Sequence, residues 1–311
     1  MMIAAALGVK DEVELIGHQL DHLRAIGVGH IIAADAGSTD GTAEILRAAP
    51  DVEYIVFDDS RPGVDDHLAR RLLAAARAAG AGWLLNCDAD EFWLPATGRL
   101  ADSLPPAGVD VLEVMRFNVP LLPDGAAMPF PAPPDRHDAV LLYVPRKGRA
   151  ERRDTLQGDA AAPWIASMPV GKVMTRLDGV VSLTAGGHRA RAAPGVTLRE
   201  TRAGDIVIAH VPFSTPGRFR RKMANIAALT AAAGHRWAPN AAWHWRRWLD
   251  NTGAAGRDEG GGGNGGGDGG GDGGGIAAEF ARNMITPDRL AGLRAEGIVQ
   301  SAADLLAGGR M

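Results

Sequence analysis

Four times in the first ninety-three residues an apolar run ends on charged side chains and gives way to a new segment. Ile3 to Val9 is a continuous apolar run closed by Lys10 and Asp11. "HIIAAD" closes on Asp35, "VEYIVF" on Asp58 and Asp59, and "WLLNC" on Asp88 and Asp90. Between them, Val13, Ile16, Leu20 and Leu23 repeat at helical spacing behind Asp11, which is placed to cap that helix. "AGSTDGT" opens a helix from Ala43 to Ala48, and "HLARRLLAAARAA" supplies the next. This β–α alternation predicts an α/β chain with a mostly parallel sheet and helices on both faces. In open sheets of that kind ligands bind outside the carboxyl ends of the strands, where these polar residues gather.

The later chain is less regular. "VDVLEVMRFNV" (109–119), "GKVMTR" and "GDIVIAHV" read as strands, and the Pro-rich run from Pro120 to Pro134 as a loop. "GRFRRKMANIAALTAAA" reads as a helix with Phe219, Met223, Ile226 and Leu229 on one stripe. "AAWHWRRWLDN" is Trp-rich and basic; docking onto the main domain is favoured over contact with a membrane or lipid acceptor. "GGGGNGGGDGGGDGGG" has a four-residue period, not the nine-residue period of calcium-binding repeats, and predicts a disordered linker. The expected organisation is a domain over 1–230, a helical extension over 231–258, a linker over 259–275 and a helical tail over 276–311.

A net charge of −4 gives no sign of a nucleic-acid surface, so a polyanionic ligand needs a metal or a few placed bases. One cysteine, Cys87, excludes an internal disulfide framework and sits inside a predicted strand. No run approaches 18 apolar residues and the first residues carry no basic leader, so no membrane span is expected and a cytoplasmic location is, with peripheral membrane contact as the alternative.

In "WLLNCDADEFW", Asp88 and Asp90 share a face at strand spacing, and two such carboxylates repel unless something positive lies between them. Hard oxygen ligands in small number suit Mn2+ or Mg2+, whose open positions take substrate phosphates. Such an ion offsets charge on a departing diphosphate, which fits group transfer from a nucleoside diphosphate. Asp35 can accept hydrogen bonds from a base N–H or ribose hydroxyls. Inverting transfer also needs a carboxylate near the acceptor hydroxyl, and Glu91 is the candidate by position.

"DAGSTDGT" (35–42) followed by "DADEFW" (88–93) resembles family-two glycosyltransferases of the GT-A fold, in the branch that carries DADEF. "KDE" (10–12) is similar to that branch's early Lys-Asn-Glu, which adds Lys10 and Glu12 to the expected nucleotide-sugar contacts. "GKVMTR", "GGH" (186–188) and "AHVPFSTPGRFRRKMAN" (209–225) resemble its later blocks. The resemblance implies that Asp35 contacts the base, that Asp59 and Arg70 lie near the nucleoside, and that Asp88 meets ribose and metal and Asp90 the metal. It makes His188 the third metal ligand, with His210 as runner-up at the metal or diphosphate, and directs Lys172, Arg176 and Lys222 to phosphates. The implied donor is a UDP- or GDP-type sugar; the acceptor is an unidentified glycan, lipid or protein. Three departures stand out. Ala36 replaces an Asp or Asn, Ser214-Thr215 stands where Arg-Ser is common, and no Glu-Asp base pair is evident after residue 93. A non-catalytic nucleotide- or glycan-binding relative is the alternative, and a DxD phosphatase the more distant one, since Phe92 stands where it would want Thr or Val.

Overall fold

Strand β1 (Ile3–Val9) lies between β2 (His30–Asp35) and β4 (Trp83–Asp88), parallel to both, and β3 (Val52–Val56) extends the sheet beyond β2. Alternation along β1 decides which layer each side chain joins. Ile3, Ala5 and Leu7 pack with Ile16, Leu20 and Leu23 of α1 (Ile16–Ala25) and Leu46 of α2 (Thr42–Ala48). Ala4 and Ala6 face the other way, towards Leu72, Leu73 and Ala76 of α3 (Val64–Ala78). Helices therefore cover both faces, as the apolar runs predict. The computed structural model describes residues 1–61, 63–145, 158–159, 161–233, 243–253 and 271–308.

The sheet continues beyond β4 with β10 (Lys172–Arg176), β6 (Val111–Asn118), β13 (Glu200–His210) and, at the edge, β5 (Glu91–Pro95). Here pairing is mixed: β10 is antiparallel to β4 and β6, β13 is parallel to β6, and β5 is antiparallel to β13. The eight strands form a GT-A-like α/β sheet. β5 is absent from the sequence reading, which ends the strand at the carboxylates. The chain turns at Ala89 and Asp90, then runs back into the sheet with Phe92, Trp93 and Leu94 buried.

Three local expectations change. Asp11 does not cap α1, whose N-cap is Leu15; Asp11 adopts φ 52° and its carboxylate accepts the Thr39 N–H at 2.6 Å, tying two loops together. The Pro-rich run contains the short strands β7 (Leu121–Leu122) and β8 (Gly125–Ala126). The boundary expected at 230 falls inside α4 (Pro216–Ala233), and α5 (Trp243–Thr252) buries Trp248 and Leu249 in the main core.

Most of the predicted linker, residues 259–270, lies outside the described residues, as do 254–258 of the expected extension, but the linker's last five residues begin α6 (Gly271–Arg282). After α7 (Pro287–Ala295), β14 (Val299–Ser301) pairs antiparallel with β9 (Leu141–Tyr143), and α8 (Ala302–Ala307) buries Ala302 and Leu305. Among the described residues no helix is long and apolar enough to cross a membrane.

Candidate functional site

Four carboxylates and four cations interlock at the carboxyl edge of β4. Asp90 is buried and its Oδ2 accepts from Arg218 Nη2 and Lys222 Nζ, each at 2.9 Å. Arg218, 1% exposed, also forks onto Glu12 at 2.5 and 2.8 Å. Glu91 is fully buried: one oxygen meets Arg116, the other lies 3.0 Å from Lys172 Nζ and accepts the Asp88 N–H. Lys172 also reaches Asp88 Oδ2 at 2.9 Å. The positive partners expected between Asp88 and Asp90 are thus side chains of the protein. Asp88 is the accessible member, with a side chain 48% exposed. Gly8, its neighbour across the β1–β4 pair, keeps the Oδ1 side open, since a Cβ there would lie 3.1 Å from that oxygen.

Burial raises the Glu91 carboxyl, aided by the charges of Asp88 and Asp90, although Lys172 and Arg116 oppose it. For Asp90 the balance reverses: burial alone would raise it, but Lys222 and Arg218 hold it well below the usual carboxylate range. His210 is itself pushed well down by burial. Asn118 fixes its tautomer. The Asn118 amide nitrogen donates to the Ile165 and Ser167 carbonyls, so its oxygen accepts from His210 Nδ1 at 2.7 Å. His210 Nε2 is then a bare lone pair, 3.7 Å from Asp90 Oδ1, and Lys222 and Arg218 account for the ionised Asp90.

His188 is arranged as a ligand would be. Its Nδ1 donates to the Gly171 carbonyl at 2.7 Å, and burial beside Lys172 and Arg116 lowers it to about 4, so Nε2 is unprotonated at neutral pH. Gly186 and Gly187 both take left-handed backbone, φ 71° and 65°, and a side chain at 186 would stand 2.8 Å from Nε2. Among the described residues no three His, Cys, Asp or Glu side chains are grouped to hold a metal unaided. A hard ion that keeps its waters and leans on substrate phosphates needs fewer. Asp88 Oδ1 and His188 Nε2, neither hydrogen-bonded among the described residues, fit that smaller donor set.

The expected nucleotide contacts divide. Lys10 Nζ donates to the Ala36 and Gly37 carbonyls, each at 2.9 Å, and with Asp59 lines a cavity of about 190 Å³ closed on the far side by α4. Asp35, by contrast, is fully buried: Oδ1 accepts from the Ser38 N–H and hydroxyl, and Oδ2 from the Tyr54 hydroxyl at 2.6 Å. These bonds shape the 35–42 turn. Glu12 is likewise taken up by Arg218. Arg70 pairs with Asp66 one turn away on an exposed helix face and does not line the cavity. Arg176 leans over the Trp83 ring at 4.9 Å rather than joining the carboxylate cluster. Glu91, the base candidate of the sequence, has both oxygens paired and is fully buried in this arrangement.

Arg116, Arg218 and Asn118 are absent from the sequence reading. Arg116 could have been found as a lone cation inside an apolar strand, and Arg218 as the residue one turn before Lys222 on the same helix.

Buried histidines make stability pH-dependent. His22, 4% exposed, donates from Nε2 to the Trp93 carbonyl, and burial lowers it to about 4. Between 6.5 and about 4 the unfolded chain binds protons that native His22 and His188 refuse, so stability is full above 6.5 and falls as pH drops through this window. For His22 the interval is worth about 3 kcal/mol. Melting temperatures from pH 7.5 to 4.5 should fall more steeply for the native chain than for His22→Gln, which keeps a donor but does not titrate. Equal slopes would show that His22 does not contribute.

Residues 14–111 match the family model described as glycosyl transferase family 2. No curated protein matches the chain. Among solved structures, one described as a mycobacterial protein is 18% identical over 75% of each chain, with a TM-score of 0.35. Mannosyl-3-phosphoglycerate synthase from Rubrobacter xylanophilus is 17% identical over 57% of this chain and 53% of its own, with a TM-score of 0.33. The chain thus spans about half the length of that synthase, and at these scores neither likeness bears on reaction or substrate.

Proposed function

We propose that the chain is a glycosyltransferase that takes a sugar from a nucleoside diphosphate donor, assisted by Mn2+ or Mg2+, with inversion at the anomeric carbon. One observation carries this reading: in a chain whose residues 14–111 match family 2, Asp88, Asp90, Lys172 and Lys222 converge at the sheet edge that also bears Lys10 and its cavity. Asp88 Oδ1 and His188 Nε2 would hold the ion, which when bound supplies positive charge to the diphosphate oxygens. Lys172 and Lys222 add fixed cations where the leaving group gains charge. In the transfer, the acceptor hydroxyl oxygen bonds to the anomeric carbon while the carbon–oxygen bond to the diphosphate breaks and its electron pair leaves with the phosphate. The hydroxyl proton passes to Asp90 Oδ1. That carboxylate is a weak base, but the attacking oxygen becomes strongly acidic as its new bond forms, so weak basicity suffices.

The test is donor binding and turnover together. UDP and GDP should bind more tightly with Mn2+ than with chelator, and Asp88→Asn should abolish that difference while melting like the native chain. Hydrolysis or transfer of the matching nucleotide-sugar should require the ion. A protein that binds neither nucleotide under either condition would overturn the proposal, and one that binds without turnover would be a non-catalytic relative.

A further inference from the structure

We infer that the acceptor is a saccharide held through two neighbouring hydroxyls, one donating to Asp90 Oδ1 and the other to His210 Nε2; the inference rests on the transferase reading above and supplies its acceptor class. Both atoms are aimed before any ligand arrives. Arg218 and Lys222 occupy Asp90 Oδ2, which leaves Oδ1 on the His210 side. His210 is turned by a short chain of bonds. The Ile165 and Ser167 carbonyls fix the Asn118 amide, and the Asn118 oxygen takes the His210 Nδ1 hydrogen at 2.7 Å. Burial keeps the ring neutral, so Nε2 offers a lone pair to the same space. The two acceptors stand 3.7 Å apart, too far for a bond between them and with no proton to share.

That pairing discriminates between acceptors. Water can donate to both atoms at once. A lone hydroxyl has one hydrogen to give, so on displacing water it strands one of the two; hydroxyls on adjoining carbons restore both bonds. A prenyl alcohol or a serine side chain offers a lone hydroxyl, and a sugar ring offers the pair. The surrounding wall fits as well. Trp164 meets the His210 ring in a T at 6.2 Å and stacks on His244 at 5.3 Å, and His244 adjoins Trp243 at 6.0 Å. Trp243 and His244 are half-buried at the start of α5, the Trp-rich helix. Aromatic walls with a few convergent polar groups are the usual make-up of a small-molecule pocket, and the C–H faces of a sugar ring are apolar enough to lie on them. His210 then serves the acceptor and not the ion.

Saturation-transfer NMR on the full chain, with UDP or GDP and Mn2+ present, tests this. The probes are the methyl α-glycosides of glucose, galactose and mannose, their monodeoxy forms, and prenol and N-acetylserinamide as lone hydroxyls. At least one parent glycoside should bind, one of its monodeoxy forms should bind about tenfold more weakly, and the lone hydroxyls should not bind. His210→Asn keeps an N–H for Asn118 and removes the lone pair at the Nε2 position. It should lose the same factor for the parent glycoside, lose nothing more for that deoxy form, and bind nucleoside diphosphate with the native Mn2+ dependence. His210→Gln returns an acceptor oxygen to that position and should recover part of the loss. If His210→Asn does not fold, the deoxy series on the native chain decides alone. Equal affinity across that series, lone hydroxyls binding as tightly as glycosides, or no glycoside binding to a chain that takes the nucleotide would sink the inference and leave the transferase reading intact. A native chain that binds no nucleoside diphosphate would remove both.

Discussion

Arg218→Met should destabilise the fold by about 3–5 kcal/mol, the range for removing one partner from a buried ion pair. Arg218 is 1% exposed and serves Glu12, Asp90 and the Val211 and Pro212 carbonyls together. Methionine fills the stem's volume but leaves Glu12 without its cation and Asp90 with Lys222 alone. The cost is mostly that of burying uncompensated charge, so it should shrink when the charge goes too. Denaturant unfolding of Arg218→Met, Glu12→Gln and the double variant measures this. The double variant should be markedly more stable than the two single losses summed. Additive losses would mean that Glu12 and Arg218 are not coupled.

Asp90→Asn should lower sugar transfer per folded molecule by about 10²–10⁴-fold, the usual contribution of a positioned general base, and should also lower stability, since it removes the anion that Arg218 and Lys222 share. Its amide oxygen can still accept from one of Lys222 and Arg218, but it cannot take a proton. Glu91→Gln should also lower stability but should spare transfer. Glu91 is sealed between Arg116 and Lys172, so its loss should show in the unfolding midpoint, with transfer per folded molecule changed less than about tenfold. If transfer instead collapses in a well-folded Glu91→Gln protein and survives in Asp90→Asn, the base is Glu91 and the buried arrangement opens during turnover.

The parallel half of the sheet was legible because each of its strands is a run of apolar residues punctuated by a turn motif, and these are local signals. The second half was not, because its pairings join distant residues. β5 meets β13 at Glu91↔His210, and nothing within "DEFWLP" announces a partner more than a hundred residues away. The same holds within the site. Asp88, Asp90, Lys172 and His188 could be nominated from motifs, and the structure brings Asp88 and Asp90 to cations as their repulsion required. Which cations could not be read, since Arg218 meets Asp90 only after α4 crosses the sheet edge. Asp35 was illegible in another way: nothing in its sequence announces that it binds the Ser38 and Tyr54 hydroxyls.

The core that seats β5 and α4 draws on both extremes of the described chain, from Leu15 to Leu305. At ribosomal speeds about 15–60 s separate the emergence of those two residues. The parallel strands and their helices can close during that interval, because their partners are already made. The cluster that includes Phe92 and Leu94 is not complete until Val299, Ala302 and Leu305 arrive. The β9–β14 pair and the packing of Ala302 and Leu305 are therefore the last parts of this core to form, well after every residue of the carboxylate edge has been made.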